Sequence, residues 1–504
     1  MTTTPRSLHA LAGLVAGLAG IAVSHAVTML LTIRATPLLA VAESIIEVTP
    51  GPLAEALIQR VGQYDKPFLI AGVTLGLLAL SAWAGVLAQK GQGRAVAVFV
   101  AMGAIAVAAV WSRAGSTAYD VVPVVAGTVT WIIVLSILVD QLAKQHREHE
   151  PVEARRRFLI AAGVAAGAAV VVGIGGQVAG ASRRSVDTAR RLLRLPVRRG
   201  VVPEGAEVGV DGVEPWRTPN DVFYRIDTAL IVPTVDPTAW RLRVHGLVER
   251  ELVLTYQDLL DRELTEDWVT LCCVSNEVGG GLIGNAWWSG VRIADVLAEA
   301  GVRPEADAVL QTSDDGWTCG TPIEVLTDDR NALLAIAMNG EPLPVEHGFP
   351  VRMVVPGLYG FVSATKWLVD LEVSRFADFT AYWTSRGWAP RAPVKTQSRI
   401  DVPRDGADVP AGTIRIGGSA WAQHTGVERV EYRLDGGPWT EAELGRVPHA
   451  DTWAQWSASV KVSPGPHTLA VRATDRSGYT QTGVQAGVVP DGATGWHTVD
   501  FSAG

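Results

Sequence analysis

The run Thr270-Leu271-Cys272-Cys273-Val274-Ser275-Asn276 holds two of the three cysteines in a chain of 504 residues. An apolar stretch with strand character ends in two thiols, and small and polar residues that can turn tightly follow it. A strand end leading into a loop can aim a thiolate at a ligand. Soft thiolate suits soft or high-valent metals held partly by sulfur. The chain has no CxxC and no Cys/His set with zinc spacing, and three cysteines are too few for a disulfide framework. On these residues alone, a buried structural thiol and a metal-binding thiolate both fit.

Around these thiols the sequence alternates short apolar runs with turn signals between residues 220 and 375. Examples are Trp240–Val244 and Val351–Val355. Period-two alternation predicts strands. Helical stretches are expected near 255–261, 292–300 and 322–327, the first capped by Thr255. The class expected here is α+β with a mixed sheet.

The ordered motifs from about 218 to 500 resemble the sulfite oxidase family of molybdenum enzymes. Asn220-Asp221-Val-Phe-Tyr224-Arg225-Ile-Asp227 is similar to the family's entry segment. Thr270-Leu-Cys-Cys273-Val-Ser-Asn276 resembles its Thr-Leu-x-Cys-x-x-Asn loop, and that register selects Cys273 over Cys272. Asn285-Ala-Trp-Trp288-Ser-Gly290, Met338-Asn339-Gly340, His347-Gly348-Phe349-Pro350-Val-Arg352, Val355-Pro356-Gly357 and Lys366-Trp367 complete the series.

The resemblance implies an oxidoreductase with a molybdenum-molybdopterin cofactor (Mo-MPT). Cys273 would be both metal ligand and catalytic residue. Asn220, Tyr224, Arg225, Asp227, Asn276, Asp314, His347, Arg352, Lys366 and Trp367 would bind the cofactor. Its phosphate suits Arg352 and Lys366, because a guanidinium offers two parallel hydrogen bonds. The implied activity is oxygen-atom transfer with two-electron redox on a small substrate, a sulfur compound such as sulfite. The alternatives are a reductase of sulfoxides or other oxo-compounds, and a non-catalytic membrane-anchored binding or assembly protein. Two positions depart from the sulfite-oxidising pattern. Glu277 stands where basic residues follow the cysteine loop, and Cys319 occupies the place of a Tyr. Cys319 either packs in the core or faces the metal.

Residues 394–504 show short alternating strands with Asp435-Gly436-Gly437-Pro438 as a hairpin signal. They resemble the immunoglobulin-like dimerisation domain of the family, a β-sandwich, and imply a homodimer. Trp439, Trp453 and Trp456 are expected in its core or interface.

The first part of the chain differs sharply in composition. Apolar segments near 8–33, 67–89, 95–112, 119–142 and 158–182 approach or exceed the roughly 20 residues that span a bilayer. About five transmembrane helices are therefore expected in residues 1–182, then an Arg-rich linker over 183–217, the oxidoreductase domain over 218–393 and the sandwich over 394–504. Lys90, Arg94, Lys144, Arg147 and Arg155–Arg157 put the even loops in the cytoplasm. The protein is then multi-pass in the cell membrane, touching lipid, with its catalytic half on the extracytoplasmic side. Arg183, Arg184, Arg190, Arg191, Arg194, Arg198 and Arg199 run against that orientation. Arg155-Arg156-Arg157-Phe158-Leu159, however, resembles a twin-arginine export signal, a route for folded, cofactor-loaded domains. Only His25 lies deep in a span, so no bis-histidine haem is expected. With no haem or flavin motif, a separate cytochrome or quinone-linked protein is implied as electron partner. The net charge of −8 gives no sign of nucleic-acid binding.

Overall fold

The computed structural model describes residues 6–31, 33, 36–49, 65–113, 116–145, 182–229 and 232–504, with isolated positions between 156 and 167. The chain divides into two compact units. One comprises Met1–Ser185 with Ala229–Ile231, the other Val186–Thr228 with Val232–Gly504.

The first unit is helical: α1 (Arg6–Leu30), α2 (Pro37–Val48), α3 (Asp65–Leu87), α4 (Gln92–Trp111) and α5 (Val122–Gln145). Four of its helical stretches are long and apolar enough to cross a membrane: Arg6–Leu30, Pro67–Lys90, Gln92–Trp111 and Ala118–Ala143. The fifth expected span and the Arg155–Leu159 run lie, apart from single positions, outside the described residues.

The helices meet through small residues, as membrane helices do where close backbone approach replaces the hydrophobic effect. A Cβ on Gly13 would collide with the Ser81 carbonyl of α3, one on Gly85 with the His9 carbonyl, and one on Gly20 with the Trp131 ring. Trp131 Nε1 donates to the Gly17 carbonyl at 3.0 Å, joining α5 to α1. Phe68, Leu75, Trp83, Ile105 and Ile133 are exposed on the unit's surface.

The second unit opens at Val186, within α6 (Ser182–Leu192), and Val186 is buried in the core with Phe223, Leu271 and Trp288. Residues 186–217, expected as a linker, are therefore part of the folded unit. Trp216 is fully buried, and Leu193, Leu195 and Val197 pack against the core. Their apolar residues are spaced among arginines, so composition hides their burial.

Two sheets follow. One has the order β2-β1-β10-β5-β6, from β1 (Arg241–Gly246), β2 (Leu252–Thr255), β5 (Ala308–Ser313), β6 (Thr318–Pro322) and β10 (Leu368–Ser374). The β1–β10 pair is parallel and its neighbours are antiparallel, giving the mixed sheet expected. The other has the order β3-β4-β7-β8, with β9 on β7. It is built from β3 (Thr265–Cys272), β4 (Ile283–Arg292), β7 (Leu333–Met338), β8 (Glu341–Pro342) and β9 (Arg352–Val354). Short helices α7 (Tyr256–Leu260), α8 (Ile293–Ala300) and α9 (Glu324–Thr327) fall where helical stretches were expected. Thr255 caps α7 through a reciprocal pair with Asp258.

Gly290 illustrates how tightly β4 meets β7. A Cβ there would strike the Leu334 carbonyl. Gly290→Ala is expected to destabilise this unit by about 1–3 kcal/mol, read as a lower denaturation midpoint.

The C-terminal part is a sandwich. One sheet pairs β11 (Gln397–Val402), β13 (Gly412–Trp421), β17 (Ala454–Val462) and β16 (Glu443–Leu444). The other joins β12 (Ala407–Val409), β19 (His497–Ala503), β18 (Gly465–Asp475), β14 (Val427–Leu434) and β15 (Thr440–Glu441). Asp435 and Gly436 turn β14 into β15 with φ of 51° and 72°, the left-handed pair a tight hairpin requires. Trp456 fills the sandwich core, whereas Trp453 belongs to the core of the preceding sheets. Trp439 lies in neither core. It is half-buried against Trp496, Arg433 and Arg472.

Candidate active site

Cys273 is the first residue past β3. The alternation of the strand sends Cys272 into the hydrophobic core and Cys273 into a cleft. The turn is held by Cys273 N–H donating to the Leu282 carbonyl at 2.9 Å and Asn276 N–H donating to the Cys273 carbonyl at 3.1 Å. Burial raises the Cys273 thiol above its ordinary pKa. The Ser275 N–H and hydroxyl, the Val274 N–H and the Lys366 ammonium pull the other way. Those same groups favour a thiolate once a cation faces it.

The cleft encloses about 910 Å3, part of it open to solvent. Tyr224, Asp227, Cys273, His347, Arg352, Lys366 and Trp367 all line it, so seven of the residues singled out in the sequence converge there.

Arg352 is buried at 5 % exposure, and burial pushes its pKa down to about 10. Its guanidinium donates only to the Met353 and His347 carbonyls, each at 3.3 Å, and lies over the Trp288 ring at 5.0 Å. Among the described residues no carboxylate pairs with it. Lys366 Nζ donates to Asp227 Oδ2 at 3.0 Å and to the Glu346 carbonyl at 3.3 Å. Burial pushes its pKa down to about 8 despite Asp227. A buried guanidinium without a counter-ion is costly unless an anion joins it.

His347 Nε2 donates to the Asn220 carbonyl at 3.0 Å. Burial, with Arg352 and Lys366 nearby, pushes its pKa down to about 4, so it is neutral near pH 7. The Tyr224 phenol is held protonated by burial and by the Cys273 and Cys272 thiols beside it. Trp367 sits at φ 50°, a strained conformation for a bulky residue, with Nε1 donating to the Val345 carbonyl at 2.8 Å.

Four predicted residues stand behind the cleft instead of lining it. Asn220 accepts from Asn339 Nδ2 at 2.8 Å and donates to the Met338 carbonyl at 3.3 Å, fixing the entry segment. Arg225 turns its Nε onto Asp227 at 3.0 Å. Asn276 Oδ1 accepts from Leu282 N–H at 2.8 Å, closing the cysteine loop, while its buried Nδ2 has no hydrogen-bond partner among the described residues. Asp314 N–H donates to the Trp367 carbonyl at 2.7 Å, and Asp315 faces the cleft in its place. Cys319 is fully buried on β6 with Sγ 3.2 Å from Thr365 Oγ1 and does not line the cleft, which answers the question of its role. Glu277 is exposed.

Sequence reasoning passed over Phe361, Trp383 and Trp388 in the cleft wall, and Arg399 behind it. Arg399, on β11, donates to the Gly280 carbonyl at 3.1 Å and pairs with Asp401 and Glu214, bracing the loop that carries Cys273. No local motif marks these residues. Their role exists only where distant segments meet.

His347 makes a prediction on pH. Its folded pKa is below its unfolded one, so between pH 6.5 and 4 the unfolded chain binds a proton that the folded chain does not. Stability should fall as pH drops through that window, by up to about 3 kcal/mol from this residue. The loss should shrink in His347→Gln, as measured by denaturant unfolding at pH 7 and pH 5.

The donor set, a cleft-facing thiol beside an uncompensated buried guanidinium, fits a sulfur-ligated group that carries a phosphate. Residues 229–383 match the oxidoreductase molybdopterin binding domain, and 397–471 match a bacterial Ig domain. The chain is 33% identical over 313 residues to chicken sulfite oxidase, covering 52% of this chain and 68% of that one. It is 36% identical over 156 residues to an uncharacterized oxidoreductase of Bacillus subtilis, covering 31% of this chain and 75% of that one. The chain belongs to the sulfite oxidase family. It carries a molybdopterin-binding oxidoreductase domain, and the cofactor of that domain is molybdenum-molybdopterin. Human mitochondrial sulfite oxidase is 34% identical over 303 residues, which cover 51% of this chain and 55% of that one. The chain thus spans about half the length of the human relative. The sulfite oxidase family assignment covers the second unit.

Proposed function

We propose that this protein is a membrane-anchored molybdenum oxidoreductase that transfers an oxygen atom to or from a small substrate, with sulfur as the reacting centre. The cofactor, when bound, supplies two-electron exchange and an oxygen site that the side chains lack. The observation that carries this reading is the pairing of the Cys273 thiol with the unpaired Arg352 guanidinium in one cleft.

In this reading Cys273 is the protein's ligand to the metal. Arg352 and Lys366 hold the phosphate of the pterin. Neutral His347, fixed through Asn220, offers its remaining ring nitrogen to the pterin or its phosphate. Tyr224 keeps its proton and stands as a hydroxyl near Cys273. Asn220, Arg225, Asn276 and Asp314 position these groups through the loops they close. Protein matured in a molybdenum-replete host should contain close to one molybdenum and one pterin per chain. Properly matured protein without either would overturn the proposal.

Reduction of an oxo-compound is the second reading. It is favoured by Glu277 and Cys319, which stand where the sulfite-oxidising pattern has basic residues and a Tyr. Steady-state assays with sulfite and an electron acceptor, set against sulfoxides and an electron donor, separate the two directions. A separate cytochrome or quinone-linked protein would exchange the electrons. The sandwich, like its counterpart in the family, would form a homodimer.

Four long apolar helices support the membrane anchor. The Arg155–Leu159 run supports export of the folded catalytic half. Changing Arg156 and Arg157 together to Lys is expected to leave that half in the cytoplasm. The check is added protease on intact spheroplasts, which should digest it in the parent and spare it in the variant.

A further inference from the structure

The charged groups in the cleft are nearly all committed. Lys366 is held by Asp227 and the Glu346 carbonyl. Arg352 lies at 5 % exposure, where the cofactor's phosphate would claim it. Arg225 points to Asp227 and does not line the cleft. The remaining charged lining residue among those described is an acid, Asp315. With the phosphate in place, no cation is left over for a second anion.

Beside the hydroxyls of Thr228, Ser275 and Ser313, the wall carries a group of aromatic rings, Trp317, Phe361, Trp383 and Trp388, with Ile226. Phe361 and Trp388 have ring centroids 5.6 Å apart, and Trp383 stands 6.1 Å from Trp388. All four rings are half-buried. Trp383 continues to Tyr382 at 5.1 Å, whose ring carries the Arg386 guanidinium at 3.7 Å. Arg386 also donates to the Tyr382 carbonyl at 2.6 Å, so this cation too is committed, and it is outside the cleft lining.

The segment bearing Trp383 and Trp388 is tied down at three points. Tyr382 N–H donates to the Thr318 carbonyl at 3.3 Å, Ala389 N–H donates to the Pro490 carbonyl at 3.0 Å, and Leu358 bridges to Pro393. Half-exposed aromatic rings on a braced wall are a surface that an apolar ligand can cover.

We infer that the cleft takes an uncharged oxo-compound with an apolar, preferably aromatic, flank, and selects against small oxyanions. This rests on the proposal that the Cys273 cleft is the molybdopterin site. Trp388 and Phe361 are the residues that set the preference.

The test uses oxidised holoprotein whose molybdenum and pterin have been quantified. Methyl phenyl sulfoxide, dimethyl sulfoxide and sulfate are titrated in separate arms, followed by tryptophan fluorescence and by equilibrium dialysis. None of them turns over without an added reductant. Methyl phenyl sulfoxide should bind with quenching and more tightly than dimethyl sulfoxide, and sulfate should not compete. Trp388→Ala should weaken its binding by about 10-fold, on the scale of one lost aromatic contact, with the metal and pterin content unchanged. Phe361→Leu stays apolar, removes less side chain than Trp388→Ala and serves if that variant does not fold; it should weaken the aryl sulfoxide more than dimethyl sulfoxide.

Sulfate binding more tightly than the sulfoxides to loaded protein overturns the inference. So does loss of pterin from either variant, because the wall would then be part of the cofactor's cradle. Parent protein without molybdenum and pterin overturns the site proposal itself, a result recorded before any ligand is added.

Discussion

Arg352→Met is expected to move stability and cofactor retention in opposite directions. The guanidinium is buried, and among the described residues its partners are two carbonyls and one ring, with no carboxylate. Burial alone pushes its pKa down to about 10, which shows that the charged form is disfavoured where it sits. A buried charge without a partner bears its desolvation uncompensated, and even buried ion pairs are often replaced by apolar side chains at no cost or with a gain of about 1–4 kcal/mol. Apo Arg352→Met should therefore melt at a higher temperature than apo parent. The loaded protein should behave in the opposite way. Removing one partner of a buried, hydrogen-bonded charge pair costs about 2–5 kcal/mol of binding, or roughly 30-fold to several thousand-fold in affinity. Differential scanning fluorimetry of protein from a cofactor-deficient host gives the first quantity. Molybdenum and pterin retention after gel filtration gives the second. A lower apo melting temperature would mean that Arg352 acts through its carbonyl bonds as a structural residue, and the anion site would be lost.

Cys273→Ser should be the most damaging single change to turnover. The side chain faces the cleft at 8 % exposure and its loop is held by backbone bonds, so the fold should survive. A serine oxygen is a hard, weakly acidic replacement for a soft thiolate. Loss of outer-shell partners in metal sites costs about 10–100-fold, and loss of the ligand itself should exceed that range. X-ray absorption at the molybdenum edge should show one sulfur fewer. Cys272→Ser is the control. Its sulfur lies in the core, 3.5 Å from the Cys273 carbonyl, and outside the cleft. It should cost about 1–3 kcal/mol of stability for the buried hydroxyl and leave the sulfur count unchanged. Equal effects from the two variants would break the assignment of Cys273.

The two cysteines show how far a local pattern reaches. Adjacent residues on a strand point to opposite sides, so one thiol had to enter the core and the other the cleft. Motif register selected Cys273, the one that faces the cleft. The same holds for His347, Arg352 and Lys366. They are close in sequence, and the short β9 strand with its flanking turns carries all three to one side. Span-length apolar helices were equally legible, because a membrane demands a continuous run that no other pressure mimics.

Residues that act through distance were not legible. Asn220, Asn276 and Asp314 read as cofactor-binding residues by resemblance to the family's motifs, yet their side chains or backbone close loops behind the cleft. A polar side chain satisfies backbone groups as readily as a ligand, and only the fold decides which is nearer. The Arg-rich run that reads as a linker buries Val186 and Trp216, since a few well-placed apolar residues suffice to dock a segment. Trp383 and Trp388 line the cleft because the segment after β10 is strapped back across it. Sequence alone thus pointed to the thiol and the basic residues beside it through the ordered motifs that resemble the family, and to the apolar helices through their length and composition. Tertiary structure alone decided which polar groups face the cleft, which only hold it, and what kind of wall a substrate would meet, because those depend on how separate segments are brought together in the fold.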